Sequence, residues 1–181
     1  FNEPDQMDRT TIEAGTRDLK IENAAGLLTE VFNWARSTQP SQPLTAGIWE
    51  YDSNLVPVMN SVSSLALEQS DIISFHHYGP EKDLATIING LHQYQRPLIC
   101  TEWLARSEGS TVDNLQIFSD QKVGAINWGL VDGKTQTRFP WRSWWEEVEE
   151  DEPWFHELLH SDGIPYSEHE VSILRRISGL H

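Results

Sequence analysis

The sequence of 181 residues contains a single cysteine, Cys100, and only 13 lysines and arginines against 28 aspartates and glutamates. One thiol forms no disulfide within the chain, and it rules out a metal cluster built on cysteine. The formal net charge is −15, and a surface of this sign repels phosphate backbones and anionic lipid. We therefore expect neither nucleic acid nor a membrane as a partner. No apolar run approaches the roughly 20 residues of a membrane-spanning helix.

Tryptophan, by contrast, is abundant, with eight residues. Such an excess belongs either to a well-packed core or to a surface that stacks on flat ligands, and composition leaves both open. The remaining composition, 38% hydrophobic and 23% charged, is that of an ordinary globular protein. The length suits one domain with a substantial core over residues 1–181. The acidic run from Glu146 to Glu152 is typical of a solvated loop or helix face.

Short apolar runs alternate with segments of helical periodicity along the chain. The predicted strands are residues 1–4, 44–49, 71–76, 97–102 and 123–128. The predicted helices are residues 21–36, 57–68, 82–94, 112–120, 154–159 and 168–177, with long loops over residues 5–19 and 129–153. This alternation is the βαβ pattern of a parallel sheet, and the near-continuous apolar strands indicate that both faces of the sheet are covered.

Polar and aromatic residues stand at the end of every predicted strand. They are Asn2 and Glu3, Trp49 and Glu50, His76 to Tyr78, Glu102 and Trp103, and Asn127 and Trp128. Because the carboxyl ends of parallel strands meet at one face, these side chains are expected to converge there. Taken alone, Glu102 could equally cap the next helix or point to water. Two carboxyl groups with indoles beside them match hydrolysis of a glycosidic bond, which needs one acid and one nucleophile or stabilising carboxylate.

The motifs at these strand ends resemble a known family. Asn2-Glu3-Pro4, His76-x-Tyr78, Thr101-Glu102-Trp103 and the strand-ending Trp128, in this order, are similar to the retaining β-glycosidases of glycoside hydrolase family 5 and its clan. The resemblance implies an α/β fold, namely the C-terminal half of a (β/α)8 TIM barrel from the end of strand 4 through strand 8 and helix 8. It implies an O-glycosyl hydrolase of the cellulase, xylanase or mannanase type. The implied substrate is a β-linked oligo- or polysaccharide, with no cofactor and no metal.

The resemblance also assigns roles to individual residues. Glu3 would be the general acid/base and Glu102 the nucleophile, and a retaining mechanism places such carboxyl groups roughly 5 to 5.5 Å apart. The substrate-binding residues would be Asn2 at the 2-hydroxyl, Tyr78 at the nucleophile, His76 in the same subsite and Trp128 under the sugar ring. Trp49, with its neighbour Glu50, either lines the cleft or lies outside it.

Several residues near these motifs have plainer expectations. Cys100 is expected to be a small buried hydrophobe. His77 is expected to face the barrel wall or a helix rather than the substrate, because alternate strand residues point to opposite sides. Trp103 is expected in the wall or just behind the residues that contact substrate. Trp141, Trp144 and Trp145 are either outer sugar platforms or loop packing. The histidines His92, His156 and His160 are expected at the surface or between helices, without metal-ligand spacing.

The sequence also departs from the family pattern. Strands 1 to 3 and most of strand 4 have no counterpart, nor has the arginine that family members carry beside the nucleophile, so a missing N-terminal half-barrel is an expected partner. The resemblance implies a secreted or periplasmic parent. A carbohydrate-binding remnant without catalysis is the alternative hypothesis. A third hypothesis, an unrelated α/β hydrolase or sugar-phosphate enzyme, has little support, since the sequence contains no Gly-x-Ser-x-Gly elbow, glycine-rich phosphate loop or metal triad.

Overall fold

The computed structural model describes residues 1–149 and 153–180. The acidic run therefore lies partly outside the described residues, and its described members Glu146, Glu147 and Glu149 are exposed as expected. The chain forms two compact units, one of Phe1–His76 and Thr86–Ile99 and the other of His77–Ala85 and Cys100–His181. Among the residues that are described, no helix combines the length and the apolar character needed to cross a bilayer.

Three helices lie entirely within the first unit. They are α1 (Arg9–Glu13), α2 (Arg17–Ser37) and α3 (Ser61–Gln69). Asp8 caps α1 by accepting a hydrogen bond from the Thr11 N–H at 2.7 Å, and Asn60 caps α3 in the same way; such caps satisfy backbone donors that the first helical turn leaves unpaired. The prediction of a helix over residues 21–36 is confirmed within α2. Its inner face buries Ile21, Leu28 and Phe32.

The first unit also holds strand β1 (Ile73–His76), which is buried along its whole length. The backbone at Ile48 pairs with Phe75 in a parallel bridge, and the Ile73 N–H donates to the Pro97 carbonyl at 2.9 Å. Extended segments thus flank β1 on both sides, as a buried parallel strand requires.

Strand β2 (Leu98–Glu102) and helix α4 (Glu81–Leu91) each contribute residues to both units. The second unit adds α5 (Leu115–Asp120), the short strand β3 (Gly124–Ala125) and α6 (Glu168–Ser178). The three strands form a parallel sheet in the order β1-β2-β3. Strands in chain order, each followed by helical residues, confirm a mixed α/β domain. Cys100 is buried within β2 as predicted, and burial raises the pKa of its thiol.

The structure corrects several predicted boundaries. Residues 1–4 form no strand; the Phe1 carbonyl accepts one bond from the Gly47 N–H at 3.4 Å. Residues 44–49 hold only the isolated bridge at Ile48, and the predicted loop over residues 5–19 contains α1 and the start of α2. The strand predicted over residues 123–128 shrinks to the two residues of β3. The helix expected over residues 57–68 begins later, because Asn60 sets its first turn.

Residues 154–159 form no helix, contrary to prediction. The backbone N–H groups that a helix would use internally are bonded elsewhere: Phe155 to the Arg138 carbonyl at 2.7 Å and Leu158 to the Leu130 carbonyl at 3.0 Å. Leu159 adds two isolated bridges, to Val131 and Pro165. Partners distant in the sequence have replaced the local hydrogen bonds of a helix.

Candidate functional site

In the second unit, Glu102 ends β2 with its carboxylate held by a tyrosine. The Tyr78 hydroxyl donates to Glu102 Oε2 at 2.8 Å, and the His77 N–H donates to the Glu102 carbonyl at 3.1 Å. Tyr78 is only 6% exposed, so its hydroxyl is directed by the surrounding packing. The half-buried Glu102 is thus engaged by Tyr78, the residue that the His76-x-Tyr78 motif was expected to bring beside it.

Two aromatic rings pack against the ring of Tyr78. Trp141 meets the Tyr78 ring edge-on with centroids 4.9 Å apart, and His156 lies at 5.4 Å. Trp141 also packs edge-on against Phe155 at 4.8 Å. Of the two expectations for Trp141, packing is therefore the one observed in this unit, and that packing bears on the residue that holds Glu102.

The other tryptophans of the second unit differ in burial, and Trp154 is half-buried against Tyr166. Trp103 is buried against Phe118 at 5.5 Å, as expected for a wall residue. The Trp128 side chain is 45% exposed, and the backbone N–H of Trp128 donates to the Trp103 carbonyl at 3.1 Å. Trp144 ends the short 3₁₀ segment that the half-buried Trp141 begins, and Trp145 follows it directly; these two indoles are the most exposed, at 78% and 68%. Trp128 thus combines an anchored backbone with an accessible indole, the combination that stacking on a sugar ring needs.

In the first unit, Glu3 is bonded to the histidine that ends β1. The distance from Glu3 Oε1 to His76 Nδ1 is 2.6 Å, and both side chains are largely buried. Glu3 itself adopts a left-handed backbone conformation with φ of 44°, which costs a non-glycine residue about 1 to 3 kcal/mol. Strain of this kind, kept at a residue with a buried hydrogen-bonded carboxyl group, is typical of functional positions.

An open cavity of about 730 Å³ lies beside Glu3 in the same unit. Its lining includes Asn2 and Glu3 together with the α2 residues Leu19, Lys20 and Leu27. The exposed Asn2 amide and the Glu3 carboxyl therefore border a space large enough for a small ligand.

Asp5 is a buried carboxylate that sequence reasoning missed. It is completely buried and accepts from the Trp49 N–H at 3.0 Å and the Glu50 N–H at 2.9 Å. Burial raises the pKa of Asp5 while these bonds oppose the shift. Glu50 in turn forms a bidentate ion pair with Arg17, and Trp49 is half-buried. Asp5 thereby links the segment after Glu3 to the segment that carries Trp49 and Glu50. In the sequence, the one sign of this linking role was that Asp5 directly follows the Asn-Glu-Pro motif.

His156 contradicts the expectation of a surface or interhelical histidine. It is 1% exposed, and its Nδ1 lies in hydrogen-bond contact with the Leu104 carbonyl. A carbonyl only accepts, so Nδ1 carries the proton and donates. Desolvation lowers the pKa of His156 from 6.5 to about 4, and the charge of Arg106 acts in the same direction. The imidazole is therefore neutral at neutral pH.

This shift predicts a loss of stability in mild acid. The unfolded chain binds a proton on His156 near pH 6.5 and the folded chain only near pH 4, so stability is complete above pH 6.5 and falls as the pH drops between these values. The contribution lost by pH 4 is about 3 kcal/mol. Chemical denaturation of the 181-residue chain between pH 7.5 and 4 measures it. His156→Asn, which keeps a donor but does not titrate, should show a shallower pH dependence; an identical slope would contradict the assignment.

A second cluster in this unit joins the loop after β2 to the C-terminal helix. Arg106 forms a bidentate pair with Glu170 at 2.6 and 2.7 Å, donates to the carbonyls of Trp154 and Glu157, and lies 4.5 Å over the Tyr166 ring. Glu157 accepts from the Thr137 hydroxyl, and burial raises the pKa of its carboxyl. These residues lie far apart in the sequence, so no local motif could reveal them.

The structure thus places the predicted site residues in pairs within each unit. Glu3 and His76 form one pair and Glu102 and Tyr78 the other, with Asn2 and Trp49 in the first unit and Trp128 in the second. The catalytic pairing of Glu3 with Glu102, and the separation expected for it, stays a prediction. His76 contacts Glu3 itself, which suits a residue that orients the acid.

Comparison with solved structures shows where this fold occurs. The chain is similar to an exo-beta-agarase (TM-score 0.53, 14% identity), to the agarase AgWH50C (0.51, 12%) and to the protein PfGH50B (0.51, 14%). These likenesses cover 90%, 91% and 90% of this chain but only 23%, 25% and 25% of those chains. The chain therefore spans about a quarter of the length of these structures. No protein-family model and no curated protein matches the sequence.

At 12% to 14% identity these likenesses show a shared fold, and they do not single out glycoside hydrolase family 5.

Proposed function

We propose that the chain is the C-terminal half of the (β/α)8 barrel of a retaining glycoside hydrolase, as a single catalytic-domain fragment over residues 1–181. The observation that carries the proposal is the hydrogen bond from the buried Tyr78 to Glu102 at the end of β2. In a parallel α/β domain, a carboxylate at a strand's carboxyl end is in the position where such enzymes perform chemistry. The similarity in fold to agarases supports the same class.

Glu102 is the proposed nucleophile. Its carboxylate attacks the anomeric carbon and forms a glycosyl ester, while Glu3 gives its proton to the glycosidic oxygen and the leaving sugar departs. The Tyr78 hydroxyl donates to the oxygen that does not attack, which orients the other one. In the second step Glu3 takes a proton from water, the water oxygen bonds to the anomeric carbon, and Glu102 leaves as a carboxylate.

His76 and the strained backbone at Glu3 support the acid/base role. The His76 ring holds one Glu3 oxygen at 2.6 Å, which leaves the other oxygen to exchange the proton. Asn2 would bind the sugar's 2-hydroxyl, and the open indole of Trp128 would stack under the ring being cleaved. Trp49 would line the same cleft.

The proposed substrate class is a neutral β-linked polysaccharide. The net charge of −15 disfavours polyanionic glycans for the same reason that it disfavours nucleic acid. Cellulose-, xylan- and mannan-type chains follow from the sequence motifs. Agarose joins them because two of the structural neighbours are agarases.

The test is a turnover assay on the product of the complete reading frame. Cello-, xylo-, manno- and agaro-oligosaccharides serve as substrates, and NMR follows the anomer released first. Cleavage of one class with retained configuration is the expected result. Inverted configuration would refute the double displacement, and absence of turnover on every class would refute the hydrolase.

The alternative is a carbohydrate-binding remnant without catalysis. It is favoured by the exposed Trp128, Trp144 and Trp145, which can stack on sugars whether or not the carboxyl groups act. Calorimetry with the same oligosaccharides distinguishes the two proposals, because binding without turnover supports the remnant.

A further inference from the structure

His156 contacts four residues that lie near the proposed nucleophile or its neighbours: Leu104, Tyr78, Trp141 and Gly129. Its Nδ1–H donates to the Leu104 carbonyl, two residues after Glu102. Its ring lies against Tyr78 at 5.4 Å and Trp141 at 5.8 Å. Its backbone and Cβ lie against Gly129, the residue after Trp128.

The contact with Leu104 holds a strained turn. Leu104 has φ of 77°, a conformation that a leucine rarely adopts. Its N–H donates to the Ser110 hydroxyl at 3.2 Å and its carbonyl accepts from His156, so both polar groups of the strained residue are bonded. The backbone that leaves Glu102 therefore keeps its direction only while these partners are in place.

The contact with Gly129 is equally restrictive. Gly129 has φ of 80°, and a Cβ added there would lie 2.7 Å from the His156 Cβ. Only glycine fits this approach. The position of His156 thus limits the backbone immediately after Trp128.

We infer that His156 is a positioning residue for the nucleophile: its Nδ1–H fixes the Leu104 turn and its ring braces Tyr78, so that the Tyr78 hydroxyl stays on Glu102. The expected effect of His156 on turnover rests on the proposed function. The structural claim, that the Tyr78–Glu102 hydrogen bond depends on His156, is independent of that function.

Two variants separate the hydrogen bond from simple filling of space. His156→Leu fills most of the volume without a donor, whereas His156→Asn can offer its amide N–H near the position of Nδ1. We expect His156→Leu to lower kcat about 10- to 100-fold with little change in KM, because misplaced catalytic groups lose rate rather than binding. His156→Asn should recover most of the loss. His169→Leu, at an exposed histidine of α6, is the matched control and should leave kcat unchanged.

A kcat for folded His156→Leu equal to that of the wild type would overturn the inference, as would His156→Asn failing to exceed His156→Leu. A stability measurement tests the same inference without relying on hydrolase activity. Tyr78→Phe should shift the denaturation midpoint less in the His156→Leu background than in the wild type, and by the wild-type amount with His156→Asn. Equal shifts in all three backgrounds would show that His156 does not support the Tyr78–Glu102 bond, whatever the fate of the proposed function.

Discussion

Replacing Glu102 with glutamine is expected to lower kcat by about 10⁴-fold or more, in the range seen when a nucleophile is removed from other enzymes. The amide carries no charge and is too weak a nucleophile to form the glycosyl ester. Its oxygen still accepts the Tyr78 hydroxyl, which now reaches Glu102 Oε2 at 2.8 Å, so the folded structure should persist. Steady-state kinetics on the product of the complete reading frame, alongside denaturation of the same variant, measure both effects.

The matched control for this experiment is Glu108→Gln. Glu108 is an exposed glutamate in the 3₁₀ segment Arg106–Glu108, a few residues beyond β2, so its change removes the same charge without touching Tyr78. It should leave kcat near the wild-type value. A Glu102→Gln rate within tenfold of wild type would exclude Glu102 as the nucleophile.

Replacing Glu3 with glutamine should produce a loss that depends on the leaving group. Without a proton donor, glycosides with a sugar leaving group should react about 10² to 10⁴ times more slowly. A dinitrophenyl glycoside, which departs without protonation, should form its glycosyl ester at nearly the normal rate. The glutamine oxygen can still accept from His76 Nδ1, 2.6 Å from the present carboxylate, so the orientation of the side chain is retained. The burst phase of dinitrophenol release measures formation of the glycosyl ester, and the steady-state phase measures its hydrolysis.

The result that would refute this role is an equal loss on both substrates. Such a loss would mean that Glu3 acts on binding or on structure, and that another group protonates the leaving oxygen. Glu13→Gln is a suitable control, since Glu13 is exposed and pairs with Arg9, one helical turn earlier.

The strands that the sequence predicted well are those that a hydrophobic run of neighbouring residues identifies. Residues 73–76 are buried along the whole strand, and Leu98 and Cys100 are the buried residues of 98–102, so short hydrophobic runs identify both strands. The ends of these strands carry His76 and Glu102, so two of the predicted site residues were placed correctly on their elements. The contact of Tyr78 with Glu102 was implied by the resemblance to family 5, and in the structure the Tyr78 hydroxyl donates to Glu102 at 2.8 Å.

The predictions that failed concern backbone whose partners lie far along the chain. Residues 154–159 have a helical composition, yet their N–H groups bond to Arg138 and Leu130. His156 was expected at the surface or between helices, because nothing near it in the sequence indicates that the Leu104 carbonyl would accept its hydrogen bond. Local propensity is a weak guide where tertiary contacts supply the hydrogen bonds.

By itself, the sequence determined the two buried strands that end in His76 and Glu102, the helices predicted over residues 21–36 and 168–177, and the acidic composition, since periodicity and charge are properties of neighbouring residues. Only the tertiary structure decided what surrounds those residues. The bond from His76 to Glu3, the burial of Asp5 beneath Trp49 and Glu50, and the bracing of Tyr78 by His156 all join segments separated by dozens of positions. Such contacts depend on how the chain packs as a whole, because the burial that makes them strong exists only after folding.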